Sequence, residues 1–311
     1  MTLERYAELV DDYEAFVEAC DRPLPLTARV NPVKSSYGEV RASLEEAGFG
    51  VESLGWYEDG FCLDVPEDEN GDDAKIGNTL AHYLGWIHVQ EEVSMLPPVV
   101  LDASEDEYGD DDRSDLVLDA CAAPGSKTTQ LAQDSACVLA NDDNIGRISA
   151  LRNNTDRLGL TNVAVTSYDG RRLPGFDALE IDAALVDAPC TSEATVRKNP
   201  EYRDGVSEDR RESLVPVQKG ILSRTLDVVR DGGRVVYSTC TFAPEENEAV
   251  VDHVLRKDKA RVLNFDVGLE SSSGVVEWKD DEYSQEVEKT RRFYPHQNDT
   301  GGFYVALLEA C

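Results

Sequence analysis

The first hundred residues carry apolar positions in short, mixed patterns. Leu3, Tyr6, Leu9, Val10, Tyr13, Phe16 and Val17 recur every three or four residues, which predicts one amphipathic helix over residues 3–20. Leu26–Val30 predicts a strand, and Tyr37–Ala47 a helix stopped by Gly48. Val51–Trp56 and Phe61–Val65 predict a hairpin around Asp59-Gly60. Gly77–Gly85 and Val93–Leu101 predict two more helices, completing a small α+β unit. The pattern then breaks. Residues 102–115 read DASEDEYGDDDRSD, with eight acids in fourteen positions, as expected of a solvated linker or loop.

Beyond it the rhythm changes to alternation. Short apolar strands are predicted at Leu116–Ala120, Ala136–Ala140, Val163–Thr166, Ala183–Asp187, Arg234–Ser238 and Phe303–Leu308. Helices are predicted from Gly125–Ala132, at Ile145–Leu158, at Leu214–Val229 (ended by Gly232-Gly233) and at Glu246–Leu255. Such alternation predicts an α/β fold with a doubly wound, mostly parallel sheet. The expected organisation is an N-terminal unit 1–101, an acidic segment 102–115 and a main domain 116–311, without internal repeats.

Composition adds that the chain is globular, with 41% hydrophobic residues. No apolar run reaches the roughly 18 residues of a membrane span, and the acidic N-terminus lacks a signal-peptide pattern. A cytoplasmic protein is expected. Thirty Lys and Arg against 62 Asp and Glu leave a net charge of −32. Acids spread along the whole chain suit a salt-rich cell, where screening removes self-repulsion; a cationic partner is the alternative. Seven Cys without a CxxC pair, and four scattered His, predict neither a disulfide framework nor a metal site.

Chemistry gathers at the predicted strand ends, where ligands of doubly wound sheets bind. Asp119-Ala-Cys-Ala-Ala-Pro-Gly-Ser-Lys-Thr128 carries small residues that let backbone N–H groups approach a ligand. It is not a Walker A loop, because Cys121 and Ser126 occupy the two glycine positions. Asp142 follows the next strand as a ribose-binding acid or a helix cap. Asp169 follows the third, in reach of an adenine amino group. Asp187-Ala-Pro-Cys190 and Ser238-Thr-Cys240 place two thiols at two further strand ends. One buried cysteine is ordinarily packing; a pair facing one crevice is harder to explain that way. Arg171-Arg172, Arg197-Lys198 and Arg291-Arg292 are the local basic clusters, as RNA contacts or as solvated surface pairs.

These segments resemble the Nop/Sun (Fmu-type) family of RNA 5-methylcytosine methyltransferases. The resemblance rests on DACAAPGSKTTQLA, ANDDNIGR, SYDGR, VDAPCTSEATVRKNPE, YSTCTFAPEENEAVV and RFYPHQNDTGGFYVALL, with RVNPVK and VQEEVSMLPPVVLD upstream, over roughly residues 25–311. It implies a Rossmann-like class I methyltransferase fold, an RNA-binding N-terminal unit and S-adenosylmethionine as cofactor. Cys121, Ala122, Ala123, Pro124, Gly125, Ser126 and Lys127 would hold its methionine end, Asp142 its ribose and Asp169 its adenine, with Arg147 and Asp187 beside it. Cys240 would be the nucleophile, Cys190 the thiol needed for release, and Lys127 and Asp187 catalytic partners. The size resembles archaeal enzymes acting on tRNA, and the acid excess points to a haloarchaeon. A monomer with an RNA substrate, no metal and no membrane is expected. Ser126 departs from the family's APGGK, and TSEATVRKNP from a more glycine-rich stretch.

The residue types fit that chemistry. Carbon 5 of cytosine is a poor nucleophile until a thiolate adds to carbon 6. A free thiol ionises near pH 8.5, so its surroundings must activate it. The base must leave its stack to reach the thiol. The competing readings are an rRNA substrate, a DNA cytosine-C5 methyltransferase attacking through Cys190, an N-methyltransferase, and a non-catalytic ribosome-assembly factor.

Overall fold

The computed structural model describes residues 3–67, 71, 73–101, 116–176 and 179–311; the acidic segment 102–115 lies outside them. Near the N-terminus, β1 (Leu26–Val30), β2 (Gly50–Ser53), β3 (Gly60–Asp64) and β4 (Ile87–Val89) form an antiparallel sheet in the order β2-β3-β1-β4. The predicted hairpin is present, with Val51 opposite Leu63 and Ser53 opposite Phe61. Helices α1 (Tyr13–Asp21), α2 (Tyr37–Glu46), α3 (Leu80–Tyr83) and α4 (Leu96–Leu101) accompany it.

Several expectations need correction here. The helix predicted over 3–20 is two pieces, a 3-10 turn at Leu3–Tyr6 and then α1. Asp12 breaks it, because its side chain caps α1 by accepting from Ala15 N. The helix predicted over Gly77–Gly85 contracts to α3, capped by Thr79, and leaves room for β4. The helix predicted from Val93 begins at Leu96, after a 3-10 turn.

Among the described residues the main sheet has nine strands. Its parallel part is β5 (Leu116–Asp119), β6 (Cys137–Asn141), β7 (Val163–Thr166), β8 (Ile181–Asp187) and β9 (Val229–Thr239), ordered β7-β6-β5-β8-β9. Helices α5 (Ser126–Asp134), α6 (Ile145–Leu158), α7 (Glu208–Val228) and α8 (Glu248–Leu255) connect and follow them. The far edge is antiparallel: β10 (Ala260–Leu263), β11 (Ser272–Ser273), β12 (Arg291–Phe293) and β13 (Phe303–Ala310). β13 pairs with β9 on one side and shares its other side between β12 and β10. Gly232-Gly233 does not stop a helix. The pair sits inside β9, where the register with β8 shifts, and a Cβ on Gly233 would come within 2.6 Å of Asp182 O.

Packing divides the first hundred residues three ways. Residues 26–89 keep a small core of their own, including Val30, Val40, Leu44, Phe61 and Ile87. Tyr6 and Phe16 instead enter the core of the main sheet, Phe16 meeting Phe242 edge-on at 5.2 Å between ring centroids. Leu96 and Leu101 enter the core on another side, with Val117, Leu185 and Val236. The N-terminal segment therefore braces the loop that follows β9.

Candidate active site

Asp119, Asn141, Asp187 and Thr239 end four adjacent parallel strands. Between β5 and β8 the winding reverses, which opens the crevice where such sheets hold ligands. A cavity of about 630 Å³ lies there, lined among others by Cys121, Asp142, Asp169, Asp187, Cys190 and Cys240.

The loop from β5 to α5 forms one wall. Gly125 adopts φ +105°, and a Cβ on it would come 2.8 Å from Leu151 Cδ1, so glycine is required. Of residues 121–126, Cys121 lines the cavity, while Ala122 and Ala123 are buried behind it. Ser126 turns its hydroxyl to His88 Nε2 at 3.1 Å. Arg157 approaches the other ring nitrogen, Nδ1, at 3.2 Å. Burial, with the neighbouring Arg29 and Arg157 charges, pulls His88 down to about 2. The hydroxyl that replaces the expected glycine is thus paired by a neutral histidine.

Asp142 is buried and accepts from Ala123 N at 3.0 Å and Asn144 N at 2.9 Å. The helix cap is Asn144, which accepts from Gly146 N and Arg147 N. Asp142 therefore ties two cavity loops together and keeps lone pairs for a ligand. Arg147 lies 3.5 Å from it and donates to Ala123 O. Asp169 also faces the cavity, but both its oxygens accept from Arg171, which holds its carboxyl down at about 2.

The thiols meet where the loops after β8 and β9 converge. Cys190 Sγ and Cys240 Sγ are 3.4 Å apart. The two sulfurs share a hydrogen bond. That hydrogen bond pushes Cys190 well above the ordinary thiol range, with burial adding to the rise, and it holds Cys240 below that range against burial. Lys127 Nζ donates to Asp187 Oδ2 at 2.7 Å and to Ser94 Oγ at 3.1 Å, and Ser238 Oγ donates to Asp187 Oδ1 at 2.9 Å. Burial pulls the Lys127 ammonium down, but the Asp187 charge and hydrogen bond raise it on balance. Lys127 faces a second, smaller cavity of about 180 Å³, with Asp187, Cys240, Glu91 and Phe303. Asp187 and Cys240 belong to both cavities.

A buried polar wall behind the thiols was not singled out in the sequence. Glu246 accepts from Thr191 N and Gln218 Nε2, both at 2.9 Å, and from Thr191 Oγ1 at 2.6 Å. Glu193 accepts from Tyr6 Oη at 2.6 Å and from Arg211 at 3.1 Å. The only hint was the spacing of the EEN triplet after Cys240. Ser192, in the left-handed region at φ +62°, sets its hydroxyl 3.9 Å from Cys190 Sγ.

Two basic clusters each send one member into the core, while Lys198, beside Arg197, is exposed and lines the smaller cavity. Arg197 is buried and donates to Thr300 O and Pro23 O, and Arg292 is buried against Glu248 at 2.5 Å. Both carry ion pairs or carbonyl contacts of the core, so neither is free for a polyanion. Among the described residues no group of three or more His, Cys, Asp or Glu could hold a metal ion, and no helix is long and apolar enough to cross a membrane.

Comparison with known proteins agrees with this geometry. Residues 108–309 match the family described as 16S rRNA methyltransferase RsmB/F, and residues 3–92 the N-terminal domain of 16S rRNA methyltransferase RsmF. The chain is 37% identical to a tRNA (cytosine(49)-C(5))-methyltransferase of Pyrococcus abyssi, covering 98% of this chain and 94% of that protein. It is 36% identical to ribosomal RNA small subunit methyltransferase F of Shewanella amazonensis, covering 94% of this chain but 60% of that longer protein. A methyltransferase homologue from Pyrococcus horikoshii superposes with TM-score 0.80 at 29% identity, covering 99% and 98% of the two chains. The fold is that of a Rossmann-like methyltransferase, and the chain belongs to the RsmB/F (Nop/Sun) family of RNA cytosine-C5 methyltransferases.

Proposed function

We propose that this protein transfers a methyl group from S-adenosylmethionine to carbon 5 of a cytosine in RNA, through a covalent bond between Cys240 and carbon 6. The observation that carries this reading is the thiol pair at 3.4 Å, on the boundary of two cavities and beside the Lys127–Asp187 pair. The larger cavity is of a size that takes a nucleoside joined to an amino acid. Its Gly125 turn, its Cys121 wall and the remaining lone pairs of Asp142 fit such a cofactor. Asp169 fits the adenine end if it shares its carboxylate with Arg171. The cofactor supplies an electrophilic methyl on a sulfonium.

The smaller cavity takes the flipped base. Cys240, as thiolate, adds to carbon 6. Asp187, held by Lys127 and Ser238, accepts from the ring and favours protonation at nitrogen 3, which takes a proton from water and returns it when the ring is restored. Carbon 5 then carries enamine character and accepts the methyl group. Loss of the carbon-5 proton to a base expels Cys240 with its bonding electrons. Cys190, 3.4 Å from the leaving sulfur, assists that release. The tRNA reading rests on the likeness to the tRNA-modifying relative, 37% identical over 98% of this chain. Residues 26–89 serve as the RNA-binding unit.

The two thiols separate by experiment. Cys240→Ala loses both methylation and any covalent link to RNA. Cys190→Ala attacks and transfers but does not let go, so a protein–RNA species persists in a denaturing gel when S-adenosylmethionine is present. An adduct lost in Cys190→Ala and kept in Cys240→Ala would instead assign attack to Cys190. Turnover in both variants would remove the covalent mechanism.

A further inference from the structure

Asp and Glu fill 62 of 311 positions, about one in five. Against that density the two longest stretches without either are Arg22–Gly38 and Ala74–Gln90. A third, Asn144–Tyr168, has Asp156 as its single acid. The fold sews the three together. Lys34 Nζ donates to Leu84 O at 3.1 Å and to Arg157 O at 2.7 Å. Asn31 Nδ2 donates to Gly85 O and Leu158 O, both at 2.8 Å. Arg157 donates to His82 O and Ile87 O, both at 3.0 Å. Gly85 keeps the seam close, because a Cβ there would clash with the backbone carbonyl of Arg157.

This seam also exposes apolar surface. Of eight large hydrophobic side chains exposed among the described residues, four stand here: Val33, Leu80, Tyr83 and Leu84. Tyr83 is 80% exposed and Leu80 59%, while Ala81 between them is buried and holds α3 in place. Lys34, Lys75 and Arg152 are exposed on the same three stretches.

We propose that this face is a second RNA-docking surface, on which an unstacked base of the substrate lies against Tyr83 while nearby phosphates meet Lys34, Lys75 and Arg152. The inference rests on the RNA-methylation reading above. A net charge of −32 repels a polyanion over most of the surface, so this window, where Asp156 is the single acid of the three stretches, is where RNA can approach. Stacking on an aromatic ring needs no charge and survives salt that weakens phosphate contacts. The target cytosine is not the base bound here. Helix α6 begins beside the larger cavity and runs 14 residues to Leu158, a span of about 20 Å. A second foothold at that distance raises the effective concentration of the target at the thiols.

The test is fluorescence anisotropy of a labelled, unmodified tRNA transcript with the full chain, at about 0.2 M and about 1 M KCl. Tyr83→Ala is expected to weaken binding about tenfold at both salts, and Tyr83→Phe to bind like the wild type. Lys75→Gln is expected to weaken binding at the lower salt and converge with the wild type at the higher. Equal affinity of Tyr83→Ala and wild type overturns the proposal. So does sedimentation showing a wild-type dimer that Tyr83→Ala splits, since the face would then belong to a second copy. Methyl incorporation into the same transcript is read in parallel. Incorporation with no Tyr83→Ala penalty removes this face alone. A Tyr83→Ala penalty without any incorporation keeps the face and removes the activity.

Discussion

The two sides of the thiol pair satisfy their carboxylates differently. Behind the thiols, Glu193 and Glu246 are at most 1% exposed, and their oxygens are filled by Tyr6, Thr191, Gln218 and Arg211. In front, Asp187 is a third exposed at its side chain and Asp169 pairs with an exposed arginine. A carboxylate saturated by its own protein holds loops in place and has little left for a ligand. A carboxylate whose partners are mobile or whose lone pairs are free can exchange them. Acid character at a strand end therefore does not mark a binding site until its partners are counted.

Breaking the rear wall should have the larger effect. Glu246→Ala leaves Thr191 N–H and Gln218 without their acceptor and removes a carboxylate 3.9 Å from Arg211 Nε. We expect a loss of about 3 kcal/mol of stability, read from the shift in urea midpoint. A loss below about 1 kcal/mol would mean that water replaces the carboxylate and the wall is not dry. Opening the front should cost affinity rather than stability. Asp142→Ala is expected to weaken S-adenosylmethionine binding by about 1.5–3 kcal/mol in calorimetry, the scale of charged hydrogen bonds. Unchanged affinity in a folded variant would leave Asp142 as a loop tie only, through Ala123 N and Asn144 N.

The same contrast explains what could be read from the sequence. The front was legible because Asp119 to Thr128, Asp142, Asp187 to Cys190 and Ser238 to Cys240 each lie within a few residues of a strand end. Local pattern places them, and the parallel order of the sheet brings them together. The rear wall was not legible. Its carboxylates come from the two thiol loops, but their partners Tyr6, Arg211 and Gln218 come from the N-terminal turn and from the first turn and the middle of α7. No local spacing records such contacts. Arg197 and Arg292 misled for the reverse reason. A doublet of basic residues is a local pattern, whereas their burial against Thr300 O and Glu248 is a tertiary fact. Strands β4 and β10 were missed because three or four residues show too little periodicity.

Ser192 stands where the two sides meet, and it gives the smallest and sharpest test. Its backbone is left-handed at φ +62°, a conformation that disfavours a side chain. Thr195 N and Thr195 Oγ1 both donate to Ser192 O, at 3.0 and 2.8 Å, and hold the turn. Substitution to glycine removes the strain, so Ser192→Gly should unfold no earlier than the wild type and gain up to about 1 kcal/mol. The hydroxyl is a separate matter. It lies on the cavity wall, 3.9 Å from Cys190 Sγ. It adds to the hydrogen bond with Cys190 in holding the Cys240 thiol low, against burial and the Asp187 charge, which push it up. The thiolate is the species that alkylates. Loss of the hydroxyl should therefore move the pH profile of Cys240 alkylation by iodoacetamide to higher pH, with the modified peptide identified by mass. Ser192→Ala keeps the strain and loses the hydroxyl, so it should show the same shift in profile without the gain in stability. Superimposable profiles in wild type and both variants would confine Ser192 to shaping the turn. The thiolate of Cys240 would then rest on Cys190 and the Lys127 charge alone.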